Sequence, residues 1–193
     1  MKIGIFGGTF DPIHKGHVAV GLYALKQFRL DRVLFVLSAR PPHKQKDKPV
    51  ASVQHRLAMV RLALRRYTRL KASNLEVNRR GLSFTIDTIK ILKKRYPEAR
   101  FYFILGQDSY EDMKHWREAD EIKREVQFLV AGRPGYRIKK QNEPDVSRIR
   151  MPLCHAASSM IRKAIAKDPK SVTDLPSCVI CYIKRHGLYR GRA

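Results

Sequence analysis

Residues 4–17 read G-I-F-G-G-T-F-D-P-I-H-K-G-H, an apolar strand that runs into two glycines, an Asp-Pro turn and two histidines. Gly7 and Gly8 lack a Cβ, so a ligand can approach the backbone closely behind the strand. The chain then enters a helix near His14, and the free N–H groups and positive dipole of a helix start attract anions. The stretch therefore predicts a strand–loop–helix unit that holds an anionic ligand.

Two histidines stand three positions apart at this predicted helix start. His14 and His17 would share one helix face and could donate N–H groups to phosphate oxygens. The H-x-x-H spacing also suits zinc, although no third ligand is evident nearby, and a purely structural pair is the remaining interpretation. Neither G-x-G-x-x-G nor G-x-x-x-x-G-K-[ST] follows a predicted strand. We interpret the pair as phosphate donors, with the other two interpretations left open.

Short β-rich runs alternate with helical patterns along the chain. Predicted strands cover residues 2–6, 32–37, 70–77, 101–105, 126–131 and 149–153. Predicted helices cover residues 17–28, 52–67, 85–96, 158–166 and 176–186. Continuous apolar strands between helices indicate a parallel sheet covered on both faces, hence a doubly wound, Rossmann-like α/β fold. Such folds bind ligands in the loops at the carboxyl ends of the strands, where the strand order reverses.

The composition is that of a folded globular protein with a large excess of positive charge. The 193 residues suit one domain spanning 1–193, with 44% hydrophobic and 30% charged residues. The chain has 40 Lys and Arg against 17 Asp and Glu, a net charge of +23. This excess predicts an anionic partner. The bases are scattered over helix faces without interleaved aromatics, so we expect solvated surfaces and only non-specific nucleic-acid binding. They include Arg61, Arg65, Arg66, Lys90, Lys93, Lys94, Lys163 and Lys167.

The sequence shows no pattern typical of a signal peptide or a membrane-spanning segment. The apolar run at the N-terminus breaks at Gly7, too early for a signal peptide. No apolar run approaches the roughly 20 residues that span a bilayer. We therefore expect a cytoplasmic protein without a membrane partner.

The motif G-G-T-F-D-P-x-H-x-G-H resembles the nucleotidyltransferase superfamily of adenylyl- and cytidylyltransferases. Further matching motifs are P-P-H-K at 41–44, S-F-T at 83–85, L-G-Q-D-S at 105–109, Trp116, G-R-P-G-Y at 132–136, S-S-M-I-R at 158–162 and H-G-L-Y-R at 186–190. Over nearly the whole chain this set is similar to the bacterial nicotinate-nucleotide adenylyltransferase family. That family converts ATP and nicotinate mononucleotide, with Mg²⁺, into nicotinate adenine dinucleotide and pyrophosphate in NAD biosynthesis.

The resemblance implies a role for each matching residue. The residues implied in catalysis are His14, His17, Lys44 and Arg162. Those implied in ATP binding are Gly7, Gly8, Thr9, Phe10, His14, His17, Gly106, Asp108, Ser159 and Arg162, with Asp108 on a ribose hydroxyl. Those implied in nicotinate-nucleotide binding are Thr9, Lys44, Thr85, Trp116 and Arg133, with Thr85 and Trp116 framing the ring. No protein ligand to a metal is implied.

The implied reaction requires neither a general base nor an enzyme nucleophile. The phosphate of the mononucleotide is already anionic near neutral pH and can attack directly. The protein has to hold two charged substrates in line and to stabilise charge on the α-phosphoryl oxygens and the leaving pyrophosphate. Cations and N–H donors suffice for that task.

Two motifs depart from the family pattern, and several alternatives stay open. The usual I-S-S-T-x-I-R reads A-A-S-S-M-I-R at 156–162, so Ala157 lacks a hydroxyl and Ser159 stands where Thr is usual. The usual S-Y-T reads S-F-T, so Phe84 keeps the ring without its hydroxyl. The alternative functions are nicotinamide-nucleotide or pantetheine-phosphate adenylyl transfer and, in another class, a basic nucleic-acid-binding module on the same fold. The oligomeric state, including a homo-oligomer, is open from the sequence.

Overall fold

Strands and helices alternate in the computed structural model, which describes residues 1–42, 49–79, 81–132, 145–152, 154–168 and 172–190. The described strands are β1 (Lys2–Gly8), β2 (Arg32–Leu37), β3 (Leu70–Ser73), β4 (Arg100–Gly106), β5 (Gln127–Ala131) and β6 (Val146–Ile149). The described helices are α1 (Lys15–Gln27), α2 (Val53–Leu64), α3 (Thr85–Arg95), α4 (Gln107–Asp112), α5 (Ala119–Glu125), α6 (Ser158–Lys167) and α7 (Ser177–Arg185). A short 3-10 turn at Met113–His115 follows α4.

The described strands form one parallel sheet in the order β3-β2-β1-β4-β5-β6. Strand β1 pairs with β2 on one side and with β4 on the other, so that Ile5 stands between Leu34 and Phe103. The chain order therefore reverses at β1 and β4, and the loops that follow these two strands leave a crevice at their carboxyl ends. This arrangement confirms the predicted doubly wound, Rossmann-like α/β fold.

The strand side chains point alternately to two apolar clusters, because successive residues of a strand face opposite sides of a sheet. Phe6, Phe35 and Ile104 belong to the cluster under α1, α2, α6 and α7. Ile5 and Phe103 belong to the cluster under α3 and α5. The central strands are thus buried on both faces, which explains their continuous apolar sequences. Among the described residues, none of the helices combines the length and apolar character needed to cross a bilayer.

Two strand predictions differ from the structure at the edges of the sheet. The strand predicted for 70–77 ends at Ser73, opposite Val36, because the chain turns after it, with the Asn78 N–H donating to the Asn74 carbonyl. The strand predicted for 149–153 lies instead at Val146–Ile149, and residue 153 lies outside the described residues. Only Ile149 of this edge strand is fully buried, so it carries a weak apolar signal.

Two short helices were not predicted, and one predicted helix is shorter than expected. α4 and α5 have six and seven residues, too few for a recognisable 3.6-residue repeat. The helix predicted for 52–67 ends at Leu64, because the Arg65 N–H donates to the Leu62 carbonyl in a tighter turn. α4 matters for the site, because it begins at the carboxyl end of β4.

Candidate active site

A cavity of about 470 Å³ opens at the carboxyl ends of β1 and β4. This volume lies in the range of small-molecule sites, about 300–1,000 Å³. The cavity wall brings together nine of the residues predicted for the site: Gly7, Gly8, Thr9, His14, His17, Thr85, Gly106, Asp108 and Trp116. They come from the carboxyl ends of β1 and β4, from the segments that follow these two strands, including the starts of α1 and α4, and from the start of α3.

The other predicted site residues that the structure describes do not line the cavity. Ser159 is exposed in the first turn of α6. Arg162 lies on the same helix, and its Nη1 donates to the Asp11 carbonyl at 2.7 Å. Lys44 and Arg133 lie outside the described residues.

Phe10 lies beneath the cavity and supports the wall from behind. It is only 2% exposed and packs against Phe6 and Phe35. Its φ of 47° is unusual for a residue with a side chain, and the surrounding rings hold it in place. The edge of its ring meets His17 with centroids 5.1 Å apart. Phe10 therefore positions His17 and does not contact the cavity itself.

The spacing of the two histidines is that of a helix cap. His14 is the N-cap of α1, and its backbone N–H donates to Nδ1 of His17 at 3.3 Å. The two rings stack with centroids 3.7 Å apart. Because Nδ1 of His17 accepts this bond, the neutral ring carries its proton on Nε2. His17 is thereby prepared to donate Nε2–H to a ligand.

Gly16, between the two histidines, is required by close packing. A Cβ at this position would lie 2.6 Å from the Cys154 thiol sulfur and 3.0 Å from Nδ1 of His14. Gly8 is similarly constrained, since a Cβ there would lie 2.8 Å from the Phe10 ring. The glycines of the opening loop thus allow the rings to pack tightly around the helix start.

Asp11 anchors the opening loop, although the sequence analysis assigned it no role beyond the turn. Its buried carboxylate accepts hydrogen bonds from the Val50 N–H at 2.8 Å, the Ala51 N–H at 3.2 Å and the Tyr189 hydroxyl at 2.7 Å. Burial and the hydrogen bond to Asp11 raise the pKa of Tyr189, so the phenol remains a neutral donor. The loop is thereby tied to two distant parts of the chain.

Arg56 is a second residue that the sequence analysis missed. This α2 side chain is 1% exposed and donates to the carbonyls of Thr9 and Ser38, each at 2.8 Å, and of Ala39 and Ala51, each at 3.2 Å. Burial lowers its pKa, while the nearby Asp11 carboxylate opposes that shift. Arg56 therefore holds the ends of β1 and β2 in place behind the cavity. The sequence did offer a sign that Arg56 is buried, because it lies one turn before Val60 on the apolar face of a predicted helix.

Glu76 is a buried carboxyl on the cavity wall near the start of α3. It accepts a hydrogen bond from the Thr88 hydroxyl at 2.5 Å. Burial raises its pKa, and the hydroxyls of Thr88 and Ser83 partly counter that shift. Ser83 in turn accepts from the N–H groups of Ala39 and Arg40, each at 3.1 Å. These bonds connect the α3 side of the cavity to the end of β2.

Another part of the cavity wall is aromatic and includes the start of a helix. The edge of Trp116 meets Phe103 with ring centroids 6.0 Å apart, and the Arg117 guanidinium lies 4.9 Å from the centre of the Phe84 ring. Phe84 is the N-cap of α3, so the first free N–H groups of this helix begin at Thr85, on the cavity wall. A flat ring bearing an anionic group fits such a wall.

A model of the cytidylyltransferase-like family matches residues 5–171. The chain belongs to the cytidylyltransferase-like family. Curated members similar to it include the probable nicotinate-nucleotide adenylyltransferase of Thermus thermophilus, 39% identical over 98% of this chain and 100% of that protein. That of Bacillus licheniformis is 37% identical over 97% of this chain and 98% of that protein. These findings confirm the resemblance to adenylyltransferases and assign an enzyme of the nucleotidyltransferase type.

Solved structures of two complexes of one protein share the fold of this cytidylyltransferase-like chain. Plasmodium falciparum nicotinic acid mononucleotide adenylyltransferase complexed with NaAD has a TM-score of 0.84 at 24% identity, over 97% of both chains. The same protein complexed with APC has a TM-score of 0.82 at 23% identity, over 97% of this chain and 96% of that one. At these identities the likeness supports the fold alone.

Ala157, where the family motif usually has a serine, lies at the N-terminal cap of a helix. Ala157 is the N-cap of α6, with extended backbone angles and no side chain able to accept from the first turn. The adjacent Ser158 hydroxyl donates to the Pro12 carbonyl at 3.0 Å, so it serves the opening loop. The missing hydroxyl therefore leaves the start of α6 uncapped.

Proposed function

We propose that this enzyme transfers the adenylyl group of ATP to nicotinate mononucleotide, forming nicotinate adenine dinucleotide and releasing pyrophosphate. The observation that carries the proposal is one cavity with two complementary walls. The stacked pair His14 and His17 at the start of α1 suits phosphates, and the wall of Trp116 and Thr85 suits a pyridine ring with a carboxylate.

In the proposed reaction, a phosphate oxygen of the mononucleotide attacks the α-phosphorus of ATP. The new P–O bond forms as the bond to the bridging oxygen breaks, and that electron pair leaves with pyrophosphate. The attacking phosphate carries no proton that must be removed, so the residues act by alignment and charge stabilisation. Nε2–H of His17 would donate to an oxygen that gains charge in the transition state.

The remaining phosphate contacts are proposed for Lys44, Ser159 and Arg162. The contact from Arg162 requires its guanidinium to leave the Asp11 carbonyl, because the side chain does not line the cavity without ligand. Its Nη1 also lies 3.8 Å from the Asp11 carboxylate, so the guanidinium is already held at the opening loop. We propose Asp108 for a ribose hydroxyl and Arg133 for the nicotinate nucleotide.

Magnesium would enter with the nucleotide. In the described ranges no group of three or more His, Cys, Asp or Glu side chains is arranged to hold a metal ion. Mg²⁺ keeps several waters and binds chiefly through substrate phosphates, so it does not require such a group. When bound, it would neutralise charge on the phosphates. The protein's part is to place those phosphates at His14, His17 and the backbone of Gly8.

Pyrophosphate release tests the proposal when ATP is offered with each of three acceptors in parallel. The acceptors are nicotinate mononucleotide, nicotinamide mononucleotide and phosphopantetheine. We expect the first to give the highest kcat/KM. A higher kcat/KM with phosphopantetheine, or no pyrophosphate with any acceptor, would contradict the proposal.

A further inference from the structure

The positive charge of this protein is divided unequally between the two faces of the sheet. Residues 76–132 contain 11 Lys and Arg against 10 Asp and Glu, whereas the rest of the chain contains 29 against 7. The nearly neutral segment supplies α3 and α5, which cover one face of the sheet. α1, α2, α6 and α7 cover the other face. Together α1, α2, α6 and α7 contain nine Lys and Arg and no Asp or Glu, whereas α3 and α5 contain six against four. The helices of one layer therefore carry a larger excess of positive charge than those of the other.

The two layers also differ in how their charges are paired. In the neutral layer, Lys90 contacts Glu118 and Glu121, and Lys93 contacts Glu125. The stretches 49–75, 146–167 and 175–190, which include α2, α6 and α7, contain no Asp or Glu at all. Among the described residues, no ion pair involves a side chain of α2 or α7. The exposed cations of those helices, unlike the buried Arg56, are thus available to an external anion.

The exposed basic residues of α7, of α2 and of the two positions that follow α2 form two groups at opposite ends of a helix pair. The two helices run antiparallel, because the Cys178 thiol donates to the Leu62 carbonyl at 3.4 Å while His55 and Tyr182 lie 3.0 Å apart at the other end. The exposed cations are Arg61, Arg65 and Arg66 near the first contact and Lys184 and Arg185 near the second. The nine residues of α7 span about 13 Å. The two groups are therefore separated by about the width of a major groove, roughly 12 Å.

We propose that this α2/α7 surface, defined by Arg61, Arg65, Arg66, Lys184 and Arg185, binds the phosphate backbone of double-stranded nucleic acid without sequence preference. Lys and Arg contacts to phosphates carry affinity but no sequence information. None of the five residues lines the cavity, so the surface is separate from the site of adenylyl transfer.

Two other polyanionic partners fit this surface less well. Stable attachment to an anionic membrane uses apolar side chains that enter the lipid. No large apolar side chain is exposed on α2 or α7, both of which are fully described. Single strands stack successive bases on several exposed aromatic rings. Tyr182 of α7 is half-buried beside His55, and Tyr67, beyond the end of α2, is the one exposed Phe, Tyr or Trp within residues 49–75 and 175–190. Binding to the phosphate backbone of a duplex requires only the basic side chains.

The test measures binding of a fluorescently labelled DNA duplex of about 20 base pairs by anisotropy between about 50 and 200 mM salt. If the five side chains each neutralise one phosphate, the slope of log K against log salt is about −4.5, or about 500-fold over that range. The surface variant replaces all five with Gln. The matched control replaces five exposed cations of the neutral layer with Gln: Lys94, Arg95, Arg100, Lys123 and Arg124. Both variants lose the same net charge.

We expect the surface variant to lose most of the slope and the affinity, and the control to keep both. Turnover and melting temperature should match the wild type in each variant, which verifies folding. Equal losses in the two variants would overturn the proposal, because net charge alone would then explain binding. So would absence of duplex binding by the wild type at the lowest salt, or tighter binding to phosphatidylserine vesicles through the same five residues.

Discussion

Replacing Gly16 with Ala should disturb two packing contacts at the start of α1, one with Cys154 and one with His14, whose effects can be measured separately. A Cβ at Gly16 would lie 2.6 Å from the Cys154 sulfur, and something must then shift. Overpacking of this kind costs about 1–3 kcal/mol, against a gain of about 1 kcal/mol from the better helix propensity of Ala. We therefore expect Gly16→Ala to lower the free energy of unfolding by up to about 2 kcal/mol.

The same Cβ would also lie 3.0 Å from Nδ1 of His14, about 0.4 Å closer than the 3.4 Å of an ordinary contact. If a displacement of 1 Å costs about 10²-fold in rate, a displacement of this size costs roughly fivefold in kcat. Cys154→Ala removes the sulfur but leaves the His14 contact. The double variant should therefore recover stability without recovering kcat.

The assay is a double-mutant cycle with chemical denaturation and steady-state turnover measured on each protein. We expect a coupling free energy of about 1–3 kcal/mol between Gly16→Ala and Cys154→Ala in stability. In kcat we expect no rescue. Additive stability effects would refute the assigned sulfur contact, and full recovery of kcat in the double variant would refute the assigned role of His14 packing.

Three further predictions follow from the same contacts. Ala157→Ser should cap α6 and raise the free energy of unfolding by about 1 kcal/mol, measured by urea denaturation; an unchanged midpoint would contradict this. Burial raises the pKa of Glu76 above its ordinary 4.5, so the folded state holds its proton more tightly than the unfolded state and wild-type stability falls as pH rises above 4.5. Glu76→Gln removes this loss, so its stability relative to the wild type should increase with pH over that window, and a pH-independent difference would argue against the shift. Nicotinate mononucleotide should be preferred over its amide by roughly 5- to 150-fold in kcat/KM. The amide NH₂ would meet an N–H donor at the start of α3 and leave a donor unpaired, at a cost of about 1–3 kcal/mol. Equal kcat/KM values for the two nucleotides would contradict this prediction.

The parts of the fold that could be predicted from the sequence are those that depend on the pattern of apolar residues along a short segment. β1, β2 and β4 are central strands buried on both faces, so their apolar runs are continuous and their predicted positions agree closely with the structure. The carboxyl-end loops were then identified by the rule for parallel sheets. The edge strands have a partner on one side only and a weaker apolar pattern: β3 begins at Leu70 as predicted but is shorter, and β6 ends at Ile149, where the predicted strand begins.

The parts that did not follow depend on contacts between distant residues. The Tyr189 hydroxyl and the Asp11 carboxylate are 178 positions apart, and nothing local to either residue indicates the bond. Arg56 shows its role only once the carbonyls of Thr9 and Ser38 are brought to it by the sheet. The pairing of Arg162 with the Asp11 carbonyl is of the same kind, and it explains why a residue chosen by motif lies away from the cavity wall.

The central claim is that His17 stabilises the transition state through Nε2–H, and two substitutions separate this role from its role in the helix cap. His17→Asn keeps an acceptor close to the position of Nδ1, which receives the His14 N–H, but lacks Nε2. His17→Gln restores an amide donor near Nε2 and lacks the acceptor at the δ position. Both can be compared with His17→Ala for kcat, ATP affinity, melting temperature and bound zinc.

The most direct measurement is kcat of His17→Asn with ATP and nicotinate mononucleotide. We expect kcat to fall by about 10²–10³, the loss seen when one donor to a developing negative charge is removed. ATP affinity and melting temperature should stay close to the wild type, and His17→Gln should retain more turnover than His17→Asn. Near-normal turnover in a well-folded His17→Asn protein would contradict the claim, as would loss of stoichiometric zinc together with activity.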